Sequence, residues 1–370
     1  MFYTRTRVLI AGLSLLAGSA IVALAQKTPE FKVGVNIVNV LATVRDHEGR
    51  IVTNLTKDDF ILEEDGKPQQ ITNFFRQTDL PLTIGLLVDT SVSQRRLVGT
   101  EKSAALQFFD HVLRPERDLA FLIQFDSEVL MLQDLTSSKV QLDDALDQLD
   151  VPGHHRASGF ARSGFATDTK PGSGSWPGNS QFPGGSPWPG GGRRGPLPPI
   201  DQPPWGSTPA GTLLYDAVFL AADDVLRNEA GRKTIILITD GVDQGSKVSE
   251  KEAIETAQRA DCIVFSIRYF DWEAYGGWGG RGIGIGNPGG EGYSALKKMS
   301  NETGGSVYEV SKKLSLAEIF DQIQQELRSQ YSLSYNAPAG GSAEFRKIKL
   351  RTKDGSLKVQ TRTGYYPKAS

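Results

Sequence analysis

The sequence predicts an α/β protein with a doubly wound, mostly parallel sheet, helices on both faces, and a small β-sandwich domain made from the N- and C-terminal segments. Three observations lead there. Between residues 80 and 330, continuous apolar runs alternate with amphipathic patterns of helical period, the sign of buried parallel strands joined by crossover helices. Residues 31–78 and 331–367 show short runs of period-2 alternation, separated by turns rich in Gly and Asp, as in a sandwich. Neither terminal segment holds many strands of its own, so the two are expected to combine, with the α/β region inserted between them.

Each element follows in order. Arg5 and Arg7 precede "VLIAGLSLLAGSAIVALA", which ends in Ala23-Leu24-Ala25. That is a secretory signal pattern over residues 1–25 with cleavage expected after Ala25; the alternative is an uncleaved membrane anchor, since the run is close to spanning length. In the first sandwich segment, "VGVNIVNVLATVRD", "IVTNL", "FILEEDG" and "ITNFFRQ" read as strands, with a turn at "HEGR". The α/β region then gives strands at "LTIGLLVD", "LAFLIQF", "TIILITD", "CIVFSIRYF" and "VYEV". Helices are expected at "RRLVGTEKSAALQFFDHVL", "VQLDDALDQL", "LLYDAVFLAADDVLR", "SEKEAIETAQRA", "YSALKKMSNETGG" and "SLAEIFDQIQQELRSQ". The last strands are "YSLSYNA", "FRKIKLRT" and "LKVQTRTGYY".

Two Gly-rich stretches interrupt the pattern. Residues 152–209 are dominated by Gly, Pro and Ser, a composition expected to stay disordered or loosely held because it buries too little apolar surface to repay ordering. Residues 271–292 form a second such loop. Trp176, Trp188, Trp205, Trp272, Tyr275 and Trp278 lie in these stretches, either as flexible padding or as adhesive aromatics.

Composition narrows the function classes. With 370 residues, 39% apolar and 23% charged, the chain suits a globular protein. A net charge of −2 argues against nucleic acid or an acidic membrane as the main partner. The membrane enters only if the signal segment stays uncleaved. The lone cysteine, Cys262, permits no intrachain disulfide and reads as a buried small hydrophobe.

The chemistry concentrates at "LLVDTSVSQ", where an apolar run stops at Asp89 and hydroxyls follow. Helix capping explains such residues by itself. A second apolar run, "TIILITD", also stops at an aspartate, Asp240, and Thr212 stands at the entrance to "LLYDA". Ligands of open α/β sheets gather outside the carboxyl ends of the strands. Asp89, Ser91, Ser93, Thr212 and Asp240 therefore form a candidate oxygen-ligand set for a hard cation, Mg²⁺ first and Mn²⁺ or Ca²⁺ as alternatives. Neutral hydroxyls and only two carboxylates leave such an ion an open coordination position, which a carboxylate from a partner protein would fill.

"DTSVS" matches the Asp-x-Ser-x-Ser signature of von Willebrand factor type A-like domains, and the chain resembles that family over roughly residues 80–330. "AGTLLYDA" is similar to the family's threonine loop and "ITDG" to its second aspartate. The flanking β segments resemble those of secreted bacterial proteins carrying this domain. The resemblance implies a metal-ion-dependent adhesion site in which Ser91, Ser93 and Thr212 touch the metal, and Asp89 and Asp240 hold it directly or through water. Thr208 is an alternative to Thr212, and Asp216 reads as an exposed or capping carboxylate.

Other signals are weaker. "GRGIGIG" opens no clear helix and lacks a Lys-Ser/Thr ending, against phosphate binding. His154 and His155 have no companion ligands nearby, and His47 and His111 read as surface residues. "LEEDG" (62–66) reads as a solvated turn. Asn54 and Asn301 begin formal glycosylation acceptors. No nucleophile elbow or His-Glu-x-x-His pair is present. The expectation is a secreted or periplasmic binding protein and not an enzyme, with no small-molecule substrate. A metal-assisted hydrolase and a purely structural envelope scaffold are the alternatives.

Overall fold

The computed structural model describes residues 36–76, 80–91, 98–149, 211–269, 288–338 and 344–367. The signal segment, the Gly/Pro-rich stretch 152–209, "GRGIGIG", Ser93, Thr208, the His154-His155 pair and all six aromatics named above lie outside the described residues.

The chain opens with β1 (Asn36–Arg45), β2 (Phe60–Glu64), β3 (Lys67–Gln69) and β4 (Ile71–Arg76). The α/β region contributes β5 (Leu82–Asp89), α1 (Val98–Val112), β6 (Leu119–Phe125), β7 (Val129–Thr136), α2 (Lys139–Asp147) and α3 (Leu214–Leu220). It continues with β8 (Arg232–Thr239), α4 (Glu250–Arg259), β9 (Cys262–Arg268), α5 (Pro288–Thr303), β10 (Val307–Glu309) and α6 (Leu316–Arg328). β11 (Tyr331–Ala337), β12 (Arg346–Thr352), β13 (Lys358–Thr361) and β14 (Gly364–Tyr365) close the chain.

Six strands form the central sheet in the order β10-β9-β8-β5-β6-β7. All pair in parallel except β7, which runs antiparallel to β6. β5 and β8 are buried along their whole length, so successive side chains feed opposite faces. Leu86 and Val88 join the layer containing Phe108 of α1, Leu142 of α2 and Phe320 of α6. Leu87 joins the layer containing Val218 of α3, Ile254 of α4 and Met299 of α5. The helices start where their sequences supply caps. Ser249 accepts the Glu252 N–H at the head of α4, and Ser315 and Glu318 close a capping box on α6.

The sandwich consists of two antiparallel four-stranded sheets, β13-β1-β11-β4 and β14-β12-β2-β3. Each draws strands from both ends of the chain and shares one core around Val40, Leu62, Leu333 and Tyr335. Arg76 at the end of β4 pairs with Tyr331 at the start of β11, so the inserted region leaves and rejoins the sandwich at neighbouring points. A polar knot ties the units together. Glu326 of α6 is fully buried and faces Arg45 of β1 at 3.1 Å. It also accepts bonds from Tyr308 Oη at 2.8 Å and Ser306 Oγ at 3.1 Å.

Three expectations need correction. "IVTNL" forms an isolated bridge from Ile51 to Arg45 and no strand, because the Leu55 N–H bonds the Tyr331 hydroxyl instead of a neighbouring strand. The second Gly-rich stretch was expected to extend to 292, but α5 begins at Pro288, a residue suited to a first helical turn. "LEEDG" turns at Asp65-Gly66 as expected, yet Glu64 within it is buried. Its carboxylate accepts bonds from Tyr335 and Tyr365 and pairs with Arg346 at 3.0 Å. His47 and His111 are exposed and Cys262 is buried, as anticipated. Burial pushes the Cys262 thiol up to about 12, which leaves it protonated and inert.

Candidate metal centre

From β5 the chain passes to β6 on one side, while β8 lies on the other. The gap between the carboxyl ends of β5 and β8 is thus the switch point of the sheet, where open α/β folds bind ligands. Asp89 ends β5, and Asp240 directly follows β8.

Both carboxylates are buried, Asp89 at 0% and Asp240 at 2% exposure. Asp89 Oδ1 accepts the Ser91 N–H at 2.9 Å, and Oδ2 accepts the Thr239 hydroxyl at 2.6 Å. Asp240 Oδ1 accepts the Val242 N–H at 2.9 Å. Burial, followed by the nearby Asp240 carboxylate, pushes the Asp89 carboxyl up to about 7, although bonds from Thr239 and Ser91 pull the other way. Two carboxylates are therefore held together out of water. Among the described residues no three His, Cys, Asp or Glu side chains cluster as a metal-holding group. Any remaining ligands would have to be hydroxyls, main-chain oxygens or water.

The threonine loop reaches the same corner. Gln244 N–H donates to the Thr212 carbonyl at 3.1 Å, and the Leu213 N–H donates to the Asp126 carbonyl at 2.8 Å. A side chain at Gly211 would place its Cβ 2.3 Å from Gln244 Cβ, so the loop approaches this closely only with glycine there. Gly241, at φ +86°, makes the turn after Asp240, and a Cβ there would stand 2.4 Å from the Gly292 carbonyl of α5. Asp89, Ser91 and Asp240 thus meet at one point, and the Thr212 backbone is docked on the loop following Asp240. Asp216 is half-buried and accepts the Lys247 and Val248 N–H groups, so it fastens the loop before α4 instead of standing exposed or capping a helix.

Sequence reasoning missed three supporting residues. Thr239 orients Asp89 and was overlooked one position before Asp240. Asp126 follows a third apolar strand, the signal that flagged Asp89 and Asp240; its Oδ1 closes a turn by accepting the Glu128 N–H at 2.9 Å. Asp243 accepts the Leu214 N–H at 3.0 Å and the Ser246 hydroxyl, and so holds the head of α3.

A mostly parallel sheet with one antiparallel edge, a switch point between β5 and β8, and Asp89 and Asp240 buried beside it together decide the fold. This is a von Willebrand factor type A-like fold.

No family model matches the chain, and no curated protein matches it. Among solved structures, the chain is similar to an aerotolerance-related membrane protein from Bacteroides fragilis with multiple mutations to serines. Identity is 14%, covering 66% of this chain and 98% of that one, with a TM-score of 0.40. It is similar to a von Willebrand factor type A structure from Catenulispora acidiphila at 12% identity, covering 85% and 75% of the two chains, TM-score 0.42. Proximal thread matrix protein 1 from the mussel byssus, described with a zinc-occupied MIDAS motif, matches at 13% identity over 72% of this chain and 50% of that one, TM-score 0.42.

Proposed function

We propose that the protein is a secreted or periplasmic binding module. It would hold a divalent cation, Mg²⁺ before Mn²⁺ or Ca²⁺, through Asp89, Ser91, Ser93, Thr212 and Asp240, and grip an acidic residue of a partner protein. The observation that carries this reading is the pair of buried carboxylates at the switch point of the sheet. Burying two like charges together is unfavourable unless a cation accompanies them, and the donor set of hard oxygens fits such an ion. Once bound, the cation would offer an electrophilic point for a carboxylate oxygen. Ser91 and Thr239 orient Asp89, and Gly211 and Gly241 let the two flanking loops close on the site.

In this reading the protein is not an enzyme. Hydrolysis by a water on the cation would need a general base, and the groups bonded to Asp89 are a hydroxyl and a backbone amide. Export follows from the signal pattern of residues 1–25. Among the described residues no helix is long and apolar enough to cross a membrane.

Calorimetric titration of Mg²⁺ and Mn²⁺ into wild type and Asp89→Ala tests the site. Saturable binding by wild type alone is expected; equal affinity in the two proteins would overturn the assignment. Capture of a protein partner in Mg²⁺, lost in EDTA, is the expected second result.

A further inference from the structure

The turn that joins β6 to β7 stands between the two loops assigned to the cation. β6 is a third apolar strand followed by an aspartate, Asp126, and β7 begins three residues later at Val129. The Phe125 carbonyl accepts the Thr90 N–H at 2.9 Å, and the next carbonyl, that of Asp126, accepts the Leu213 N–H at 2.8 Å. Thr90 lies between Asp89 and Ser91, and Leu213 directly follows Thr212. Two successive peptide units thus fasten both loops, and the backbone angles between them set how far apart the loops stand. The Thr90 hydroxyl is buried and, among the described residues, has no hydrogen-bond partner, so the backbone bond and not the side chain ties this residue to β6.

Asp126 fixes those angles with its own side chain. Its Oδ1 accepts the Glu128 N–H at 2.9 Å and the Ser127 hydroxyl at 3.2 Å, and its N–H donates to the Glu128 carbonyl at 3.0 Å. An aspartate that bonds the backbone two residues on closes an Asx turn, which an asparagine closes equally well. Alanine has no oxygen to offer, and glutamate carries its oxygens one methylene too far out. A ligand carboxylate acts through its charge; a turn carboxylate acts through the position of one oxygen. Residues that orient metal ligands typically change metal affinity about 10- to 100-fold when they are replaced.

We infer that Asp126 is a positioning residue for the candidate metal centre: through its Asx turn it holds the Ser91 loop and the Thr212 loop at a fixed separation, without being a ligand itself. The inference rests on the cation-binding reading proposed above and adds to it the β6–β7 turn, which carries none of the candidate ligands.

The test uses the full chain. Mg²⁺ and Mn²⁺ are titrated by calorimetry into wild type, Asp126→Asn, Asp126→Ala and Asp126→Glu, and hydrogen exchange of the Thr90 and Leu213 amides is followed in EDTA. Asparagine keeps the turn oxygen and loses the charge, whereas glutamate keeps the charge and loses the turn. The expected result is near-wild-type affinity in Asp126→Asn, a fall of about tenfold or more in Asp126→Ala and Asp126→Glu, and faster exchange at both amides in those two variants alone. Wild-type affinity in Asp126→Ala, or unchanged exchange at Leu213, overturns the inference and leaves the cation reading intact. Equal losses in Asp126→Asn and Asp126→Ala also overturn it, because charge and not the turn would then be the cause. Failure of wild type to bind either cation overturns both readings at once. Asp126→Glu decides the matter if Asp126→Ala does not fold.

Discussion

The two ends of β8 make an instructive contrast. The strand starts with Arg232 and Lys233, ends beside Thr239 and Asp240, and is buried throughout. At its carboxyl end two carboxylates, Asp89 and Asp240, are buried together; at its amino end the Arg232 guanidinium donates to the Leu327 carbonyl, with Asp118 and Arg114 nearby. A balanced pair sits nearby for comparison, Arg45 with Glu326. Folding alone has every reason to balance buried charge. Two like charges buried together at one end of the strand mark the place where the proposed cation would act, whereas the balanced pair needs nothing further.

The largest expected effect separates balanced from unbalanced charge. Arg45→Met should strand the Glu326 carboxylate and cost about 3 kcal/mol in urea unfolding. Arg232→Met removes a cation whose direct acceptor is the neutral Leu327 carbonyl, and should cost less, about 1 kcal/mol. Equal losses would break the contrast. Next, Mg²⁺ at a hundred times its dissociation constant should stabilise wild type by about 2.7 kcal/mol and Asp89→Ala not at all, read from melting curves. In EDTA the same end of the strand should behave in reverse: Asp240→Asn relieves the repulsion with Asp89 and should stabilise on the order of 1 kcal/mol.

The smallest effect concerns pH. Burial by itself would raise the Asp118 carboxyl, but bonds from the Arg114 guanidinium and from the Arg114 and Leu82 N–H groups hold it below the usual carboxylate range. A depressed native pKa means that its stabilisation is present above the unfolded value, near 3.9, and is lost as pH falls through the native one. Asp118→Asn should therefore flatten the stability profile of wild type below about pH 4. An unchanged acid limb would show that Asp118 does not carry charge for this end of the sheet.

The parts legible in the sequence were those where one physical signal dominates. β5, β6, β8 and β9 are continuous apolar runs because both of their faces are covered, and Asp89 and Asp240 show as carboxylates ending such runs. β7 escaped notice because an edge strand with one partner follows neither a continuous nor an alternating pattern: Leu130 and Met131 are both well exposed. Glu64 was misread because its partners, Tyr335, Tyr365 and Arg346, lie more than 250 residues away and a local reading sees only the turn.

The pairing of β1 with β11 also bears on how the chain reaches its native state. Asn36 pairs with Ala337, so the partners lie about 300 residues apart, and closing a loop of that length is entropically costly and slow. The cost falls once the inserted α/β unit has folded, because its ends then emerge side by side at Arg76 and Tyr331 and hold the two halves of the sandwich within reach. The order of events should therefore be fixed by topology, with the central sheet forming during synthesis and the sandwich closing last. Until then β1 remains an unpaired, apolar edge, the segment with the greatest need of a chaperone.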